Sequence, residues 1–151
     1  MNNKSLLTSN GNSNKLPYLL KKLLGTKENI LNYGSGKYYL KHKNMFGDNL
    51  INYDKYVNEI NSLPSEDNFD IVVCSNVLNV IKDDTEIKNI LDYFDTLKGK
   101  KIYITIYEGD KSNIGKTTKL GTYQKNKPLK YWNYLWDRGY KKIGKIAYKE
   151  I

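Results

Sequence analysis

Arginine is almost missing from this chain of 151 residues: Arg138 stands alone among 25 Lys and Arg. Guanidinium groups are favoured for bidentate contacts to phosphate and guanine, so their scarcity argues against specific base readout. Cysteine and histidine are equally scarce, with one of each, Cys74 and His42. A single cysteine excludes an internal disulfide, and no Cys/His cluster exists to hold catalytic zinc, so no metal is expected. Cys74 follows Ile71, Val72 and Val73 in an apolar run with no histidine nearby in sequence, which reads as core rather than nucleophile. No signal peptide and no apolar run long enough to span a bilayer occurs, so a soluble, cytoplasmic protein without membrane contact is expected.

What is abundant is lysine and asparagine. The net charge of +9 suits electrostatic attraction to nucleic acid or another polyanion. AT-rich coding would produce the same Lys and Asn excess without selection for binding. The length fits one domain with a real core and no room for accessory domains. Residues 1–14 are rich in Asn, Ser and Gly and read as a mobile N-terminal segment, leaving a single domain over 15–151.

The most informative stretch is an apolar strand running into glycines, Asn29-Ile30-Leu31-Asn32-Tyr33-Gly34-Ser35-Gly36, followed by a strand ending in a carboxylate, Asn49-Leu50-Ile51-Asn52-Tyr53-Asp54. Glycines at such a turn let backbone approach a ligand, and an acid at the next strand's tip can accept both hydroxyls of a ribose. Gly34 and Asp54 are 20 positions apart, the interval expected of adjacent strands flanking one short crossover. A third fingerprint glycine would fall at position 39, which is tyrosine, so a pyrophosphate-binding dinucleotide site is not supported. Gly109 to Thr117 nearly spells a phosphate loop, but five residues separate Gly109 from Gly115 where such a loop has four.

These motifs resemble the class I S-adenosylmethionine-dependent methyltransferases, whose first motif is acid-x-Gly-x-Gly and whose second strand ends in a ribose-binding acid. Phe69-Asp70-Ile71-Val72-Val73-Cys74-Ser75-Asn76-Val77-Leu78-Asn79-Val80-Ile81 resembles that family's fourth strand and the turn after it. The resemblance spans roughly residues 29–107 and implies an α/β fold: a compact, Rossmann-like doubly wound, mostly parallel sheet with a reduced third strand and helix. It implies S-adenosylmethionine as cofactor, held by Asn32, Gly34, Ser35, Gly36, Asp54, Asn61, Ser75, Asn76 and Val77, in a minimal enzyme of the kind phage genomes carry. Asn32 stands where the family has an acid, and its amide would make a weaker bond to the cofactor's ammonium. Only 14 residues lie between Asp54 and Phe69, too few for a full helix and strand, so Asn61 or Ser62 is left to meet the adenine. The Asp/Asn-Pro-Pro-aromatic segment used in amino-directed DNA methylation is absent, the only prolines being Pro17, Pro64 and Pro128.

Along the chain, Leu16, Leu19, Leu20, Leu23 and Leu24 recur at helical spacing before Gly25, a C-cap candidate. Strand, glycine turn and a short helix to about residue 42 follow, then strands over 49–53 and 69–74. Asp83 or Asp84 can cap a helix running to about Leu97, with Ile87, Ile90, Leu91 and Phe94 on one face. Lys101 to Tyr107 alternates as a central strand, a polar loop leads to a helix at Pro128, and Lys141 to Ile151 alternates as a final strand at an antiparallel edge. Trp132, Tyr134, Leu135 and Trp136 read as a packed helix face rather than a base-stacking platform.

Tyr107, Glu108 and Asp110, at the end of the 101–107 strand, can orient an acceptor or take a proton during methyl transfer. The same acids around Gly109 also suit a solvated turn. Three functions fit: a methyltransferase of unknown acceptor with nucleic acid slightly favoured, a non-catalytic S-adenosylmethionine- or polyanion-binding protein, and a cofactor-consuming enzyme such as a lyase.

Overall fold

A computed structural model describes residues 15–107, 116–117, 123–124 and 128–151. Its centre is a six-stranded sheet in the order β2-β1-β3-β4-β8-β7, formed by β1 (Ile30–Tyr33), β2 (Leu50–Tyr53), β3 (Ile71–Ser75), β4 (Lys101–Thr105), β7 (Lys141–Ile143) and β8 (Ile146–Glu150). A separate antiparallel ribbon pairs β5 (Lys116–Thr117) with β6 (Tyr123–Gln124). Described helices are α1 (Tyr18–Lys22), α2 (Tyr39–Phe46), α3 (Asp84–Asp95) and α4 (Pro128–Asp137).

This sheet overturns the expected doubly wound, mostly parallel Rossmann-like fold. It is mixed: β2, β1, β3 and β4 run parallel, but β8 is antiparallel to β4 and β7 antiparallel to β8, so its C-terminal half is mostly antiparallel. The physical cause is connection length. The final segment does not continue as one strand but folds back at Gly144 (φ 59°), and a turn that short joins only antiparallel partners. Between β2 and β3 the chain makes only two 3₁₀ turns, Asn58–Ile60 and Glu66–Asn68, where a full parallel crossover would carry a helix. Helices are therefore few.

Each strand of the parallel part is apolar on both sides, as burial on both faces requires. Leu31, Val72, Cys74, Ile102 and Ile104 join Ile87, Ile90, Leu91 and Phe94 of α3 and Leu135 of α4 in the larger core. Ile30, Leu50, Ile71 and Val73 face the other way and pack with Leu16, Leu19 and Leu20 beside α1. That second layer is thin, because α1 is only five residues long. Asp83 caps α3 by accepting the Thr85 amide at 2.9 Å, and α3 ends at Asp95, two residues short of the expected Leu97. Trp132 and Trp136 stack at 5.4 Å along α4 and pack against the larger core, as a helix face would.

One topological feature positions the site. The chain steps from β1 outward to β2, then crosses back to β3 on the other side of β1. The loops leaving the carboxyl ends of β1 and β3 therefore diverge, and a crevice opens between them.

Candidate functional site

A cleft of about 350 Å³ occupies that crevice, in the size range of small-molecule sites. It is lined by Lys15, Pro17, Tyr18 and Lys21 at α1, by Tyr38 and His42 at α2, and by the ends of β1 and β3. Six residues expected from sequence meet here: Asn32, Gly34, Ser35, Gly36, Ser75 and Asn76.

The glycine turn is held from behind. The Gly34 and Ser35 amides both donate to the Tyr53 carbonyl, at 2.7 and 3.0 Å, and the Gly36 amide donates to Asp54 Oδ2 at 2.9 Å. Three successive N–H groups thus point toward the end of β2. These three amides are thereby committed within the protein and do not form an open nest for a phosphate. Gly34 (φ 75°) and Gly36 (φ 80°) occupy the left-handed region that glycine tolerates best. At Gly34 a Cβ would also lie 2.5 Å from Val77 Cγ2. Val77 therefore acts as the wall packed against the turn.

Asp54 sits beneath this turn and not in the cleft. It is 5 % exposed, its Oδ1 accepts the Tyr56 amide at 2.9 Å, and its other oxygen takes Gly36. Burial pushes its pKa up, partly opposed by those two amides. The segment after it is pinned to α3, since Glu86 Oε1 accepts from Tyr56 OH at 3.0 Å and from Lys55 Nζ at 3.3 Å.

Asn32 is buried and its Nδ2 donates to Asn52 Oδ1 at 3.0 Å, while Asn52 Nδ2 donates to the Tyr39 carbonyl at 3.3 Å. With its amide nitrogen committed, Asn32 offers the cleft an acceptor. Asn76 has φ 55°, the one left-handed non-glycine residue among those described, and its amide donates to the Thr105 carbonyl at 3.0 Å. Strained backbone of this kind concentrates at ligand sites.

Asn61 and Tyr107 are not brought into the cleft. Asn61 ends the first 3₁₀ turn on the surface. Tyr107 is 60 % exposed and its amide donates to the buried Asn79 Oδ1 at 3.2 Å. Glu108 and Asp110 lie outside the described residues, as do segment 1–14 and most of the polar loop before Pro128.

Sequence reasoning passed over His42, weighing it only as a metal ligand. It is 6 % exposed and lines the cleft, and its ring has no hydrogen bond of good geometry, only a weak one to the Lys15 backbone. Burial lowers its pKa, against a smaller opposing effect of the Lys15 backbone, so the ring is neutral at pH 7 and offers one donor and one acceptor. Ser75 Oγ is buried without a partner and lines the same cleft. The only signal available in sequence was that a histidine four residues into a short, weakly amphipathic helix faces inward.

No family model matches this chain, and neither the curated proteins nor the solved structures contain a match. Its chemistry must therefore be read from the cleft. Among the described residues the lining carries two lysines, neutral amides, hydroxyls and an imidazole, and no carboxylate. Among the described residues no group of three or more His, Cys, Asp or Glu is placed to hold a metal, and no helix is long and apolar enough to cross a membrane.

Proposed function

We propose that the protein is an S-adenosylmethionine-dependent methyltransferase whose cofactor lies in this cleft, with nucleic acid as the favoured acceptor class. The observation that carries the reading is the Ser75 hydroxyl, buried without a partner, together with the poorly partnered His42 ring, both in the lining of a cleft beside a glycine turn. Leaving a buried polar group unsatisfied costs about 1–3 kcal/mol, so the Ser75 hydroxyl beside a weakly held imidazole favours a ligand with hydrogen-bonding groups. A nucleoside carrying an amino-acid tail has such groups and needs no phosphate grip. Asn32 would accept from its ammonium, Ser75 and His42 would bond its polar edges, and Gly34 and Gly36 would let it lie against backbone. Asp54 would act by fixing the turn.

Transfer requires the acceptor's lone pair to form a bond to the methyl carbon as the carbon–sulfur bond breaks and its electrons return to sulfur. The acceptor then loses its proton to water or a nearby carboxylate. Alignment supplies most of the acceleration in such a displacement, so no strong base is needed. Tyr107, Glu108 and Asp110 are the groups assigned to orient the acceptor.

The test is calorimetry with S-adenosylmethionine and S-adenosylhomocysteine, followed by turnover with DNA, RNA and small-metabolite pools. Ser75→Ala should weaken binding about threefold to tenfold, the worth of one neutral hydrogen bond. Absence of binding by the parent protein would overturn the reading. Asn32, which lacks the charge of an acid, favours one alternative, a non-catalytic binder. Tight binding without turnover on any pool would select it, and turnover without an acceptor would select a cofactor-consuming enzyme.

A further inference from the structure

Charge is divided unevenly between the two faces of the sheet. Residues 1–47 contain eight lysines and one acid, Glu28, whose carboxylate lies 3.8 Å from Lys101. This stretch supplies α1 and α2 and the cleft lining between them. On the opposite face, α3 carries Asp84, Glu86, Asp92 and Asp95 against Lys88. The cleft side therefore carries unbalanced positive charge, whereas the α3 acids are offset by Lys55, Lys88, Arg138 and Lys149, and that asymmetry orients a polyanion before contact.

Aromatic rings accompany the lysines at the cleft mouth. Tyr18 is 53 % exposed with Lys22 Nζ 5.5 Å from its ring centre, and the Lys37 and Lys41 ammoniums lie 5.3 and 5.7 Å from the Tyr38 ring. Alternating cations and ring faces suit a strand whose phosphates meet ammoniums and whose bases stack. The sole guanidinium is committed elsewhere: Arg138 donates to Asp92 at 2.7 Å and Asp95 at 2.9 Å on the α3 side. Bidentate reading of guanine is then unavailable.

We infer that the face around the cleft mouth, through Lys15, Lys21 and Lys22 with Tyr18 and Tyr38, binds single-stranded nucleic acid without sequence preference. The inference deepens the methyltransferase reading by narrowing its acceptor from nucleic acid to single strands and locating the contact, and rests on that reading for the chemistry though not for the contact.

Fluorescence anisotropy with labelled mixed-sequence oligonucleotides of DNA and RNA, titrated with salt, reads the contact directly. The double variant Lys15→Ala, Lys21→Ala should bind about tenfold more weakly, with a log–log salt slope shallower by about 1.4, two phosphates at about 0.7 each. Tyr18→Ala should weaken single strands more than duplex. A control pair on the α3 side and after it, Lys88→Ala and Lys98→Ala, should bind like the parent. Equal loss in both pairs, preference for duplex, or equal competition by dextran sulfate would overturn the inference, as would stronger binding to phosphatidylserine vesicles. S-adenosylhomocysteine calorimetry on the same proteins separates the two claims. Strand binding without cofactor binding removes only the methyltransferase reading, and the reverse removes only this inference.

Discussion

Asp54 Oδ2 accepts the Gly36 amide at 2.9 Å across 18 residues of chain, so the carboxylate at the end of β2 fixes the turn that follows β1. Its other oxygen accepts from Tyr56. A group accepting at both oxygens cannot be replaced by an amide without setting an NH₂ against an N–H.

Asp54→Asn should therefore lower stability by about 1–3 kcal/mol and weaken S-adenosylhomocysteine binding together. A carboxylate used only for ribose would lose affinity with stability unchanged. Urea denaturation beside calorimetry separates these outcomes. The pH dependence has a defined sign, because burial raises the folded-state pKa of Asp54 above its ordinary value of 3.8. Its contribution to stability is present in full below that ordinary value and falls as pH rises through the raised folded value. The variant should lack this component.

Gly34→Ala should destabilise the fold, since its Cβ would lie 2.5 Å from Val77 Cγ2 at φ 75°. Left-handed backbone alone costs a non-glycine residue about 1–2 kcal/mol. Adding Val77→Ala should restore the steric part and leave the backbone part. A double-mutant cycle by thermal unfolding that finds no coupling would place Val77 away from the turn.

His42 should show the opposite pH behaviour to Asp54. Burial lowers its folded-state pKa below 6.5, so its stabilising contribution is present above 6.5 and lost as pH falls through the folded value. Replacing it by Gln should flatten the stability profile below pH 6.5. It should also reduce ligand affinity at pH 7.5, where the ring is neutral in both states. A profile identical to the parent would show that the imidazole is not buried in solution.

Arg138→Lys should cost about 0.5–1 kcal/mol, because one guanidinium nitrogen, Nη1, bridges Asp92 and Asp95 and the shorter, more strongly hydrated lysine would have to be placed between them, with Lys149 already sharing Asp95 at 3.3 Å. High salt should shrink the difference between variant and parent in a melting experiment.

Much of the architecture was legible because it depends on local pattern. The leucine spacing before Gly25, the apolar run at 71–74, the Asp83 cap and the alternation after Lys101 each specify an element and its buried side. The antiparallel direction of the last segment was legible too, but not its division into two strands. The 141–151 alternation reads as one strand, and only Gly144 and Lys145 distinguish it from the hairpin that makes this half of the sheet antiparallel. At the site, residue types at strand ends located the cleft, but their roles depend on hydrogen-bond partners distant in sequence. An acid after a strand reads as a ligand group whether its oxygens face a cleft or two amides, and Asp54 faces two amides. His42 escaped notice because the burial of a ring against a cleft is a property of packing that no spacing encodes.

The single thiol gives the protein a built-in reporter. Cys74 is wholly buried in β3, directly before Ser75, and desolvation pushes its pKa up, so it stays a protonated, unreactive thiol while the sheet is closed. Any reaction with an aromatic disulfide must pass through an opened form, and its rate counts how often the central strands separate. A ligand seated against Ser75 would slow that clock without touching the sulfur. Occupancy of the cleft can thus be followed in the native chain, colorimetrically, with no label added and no second cysteine to confuse the signal.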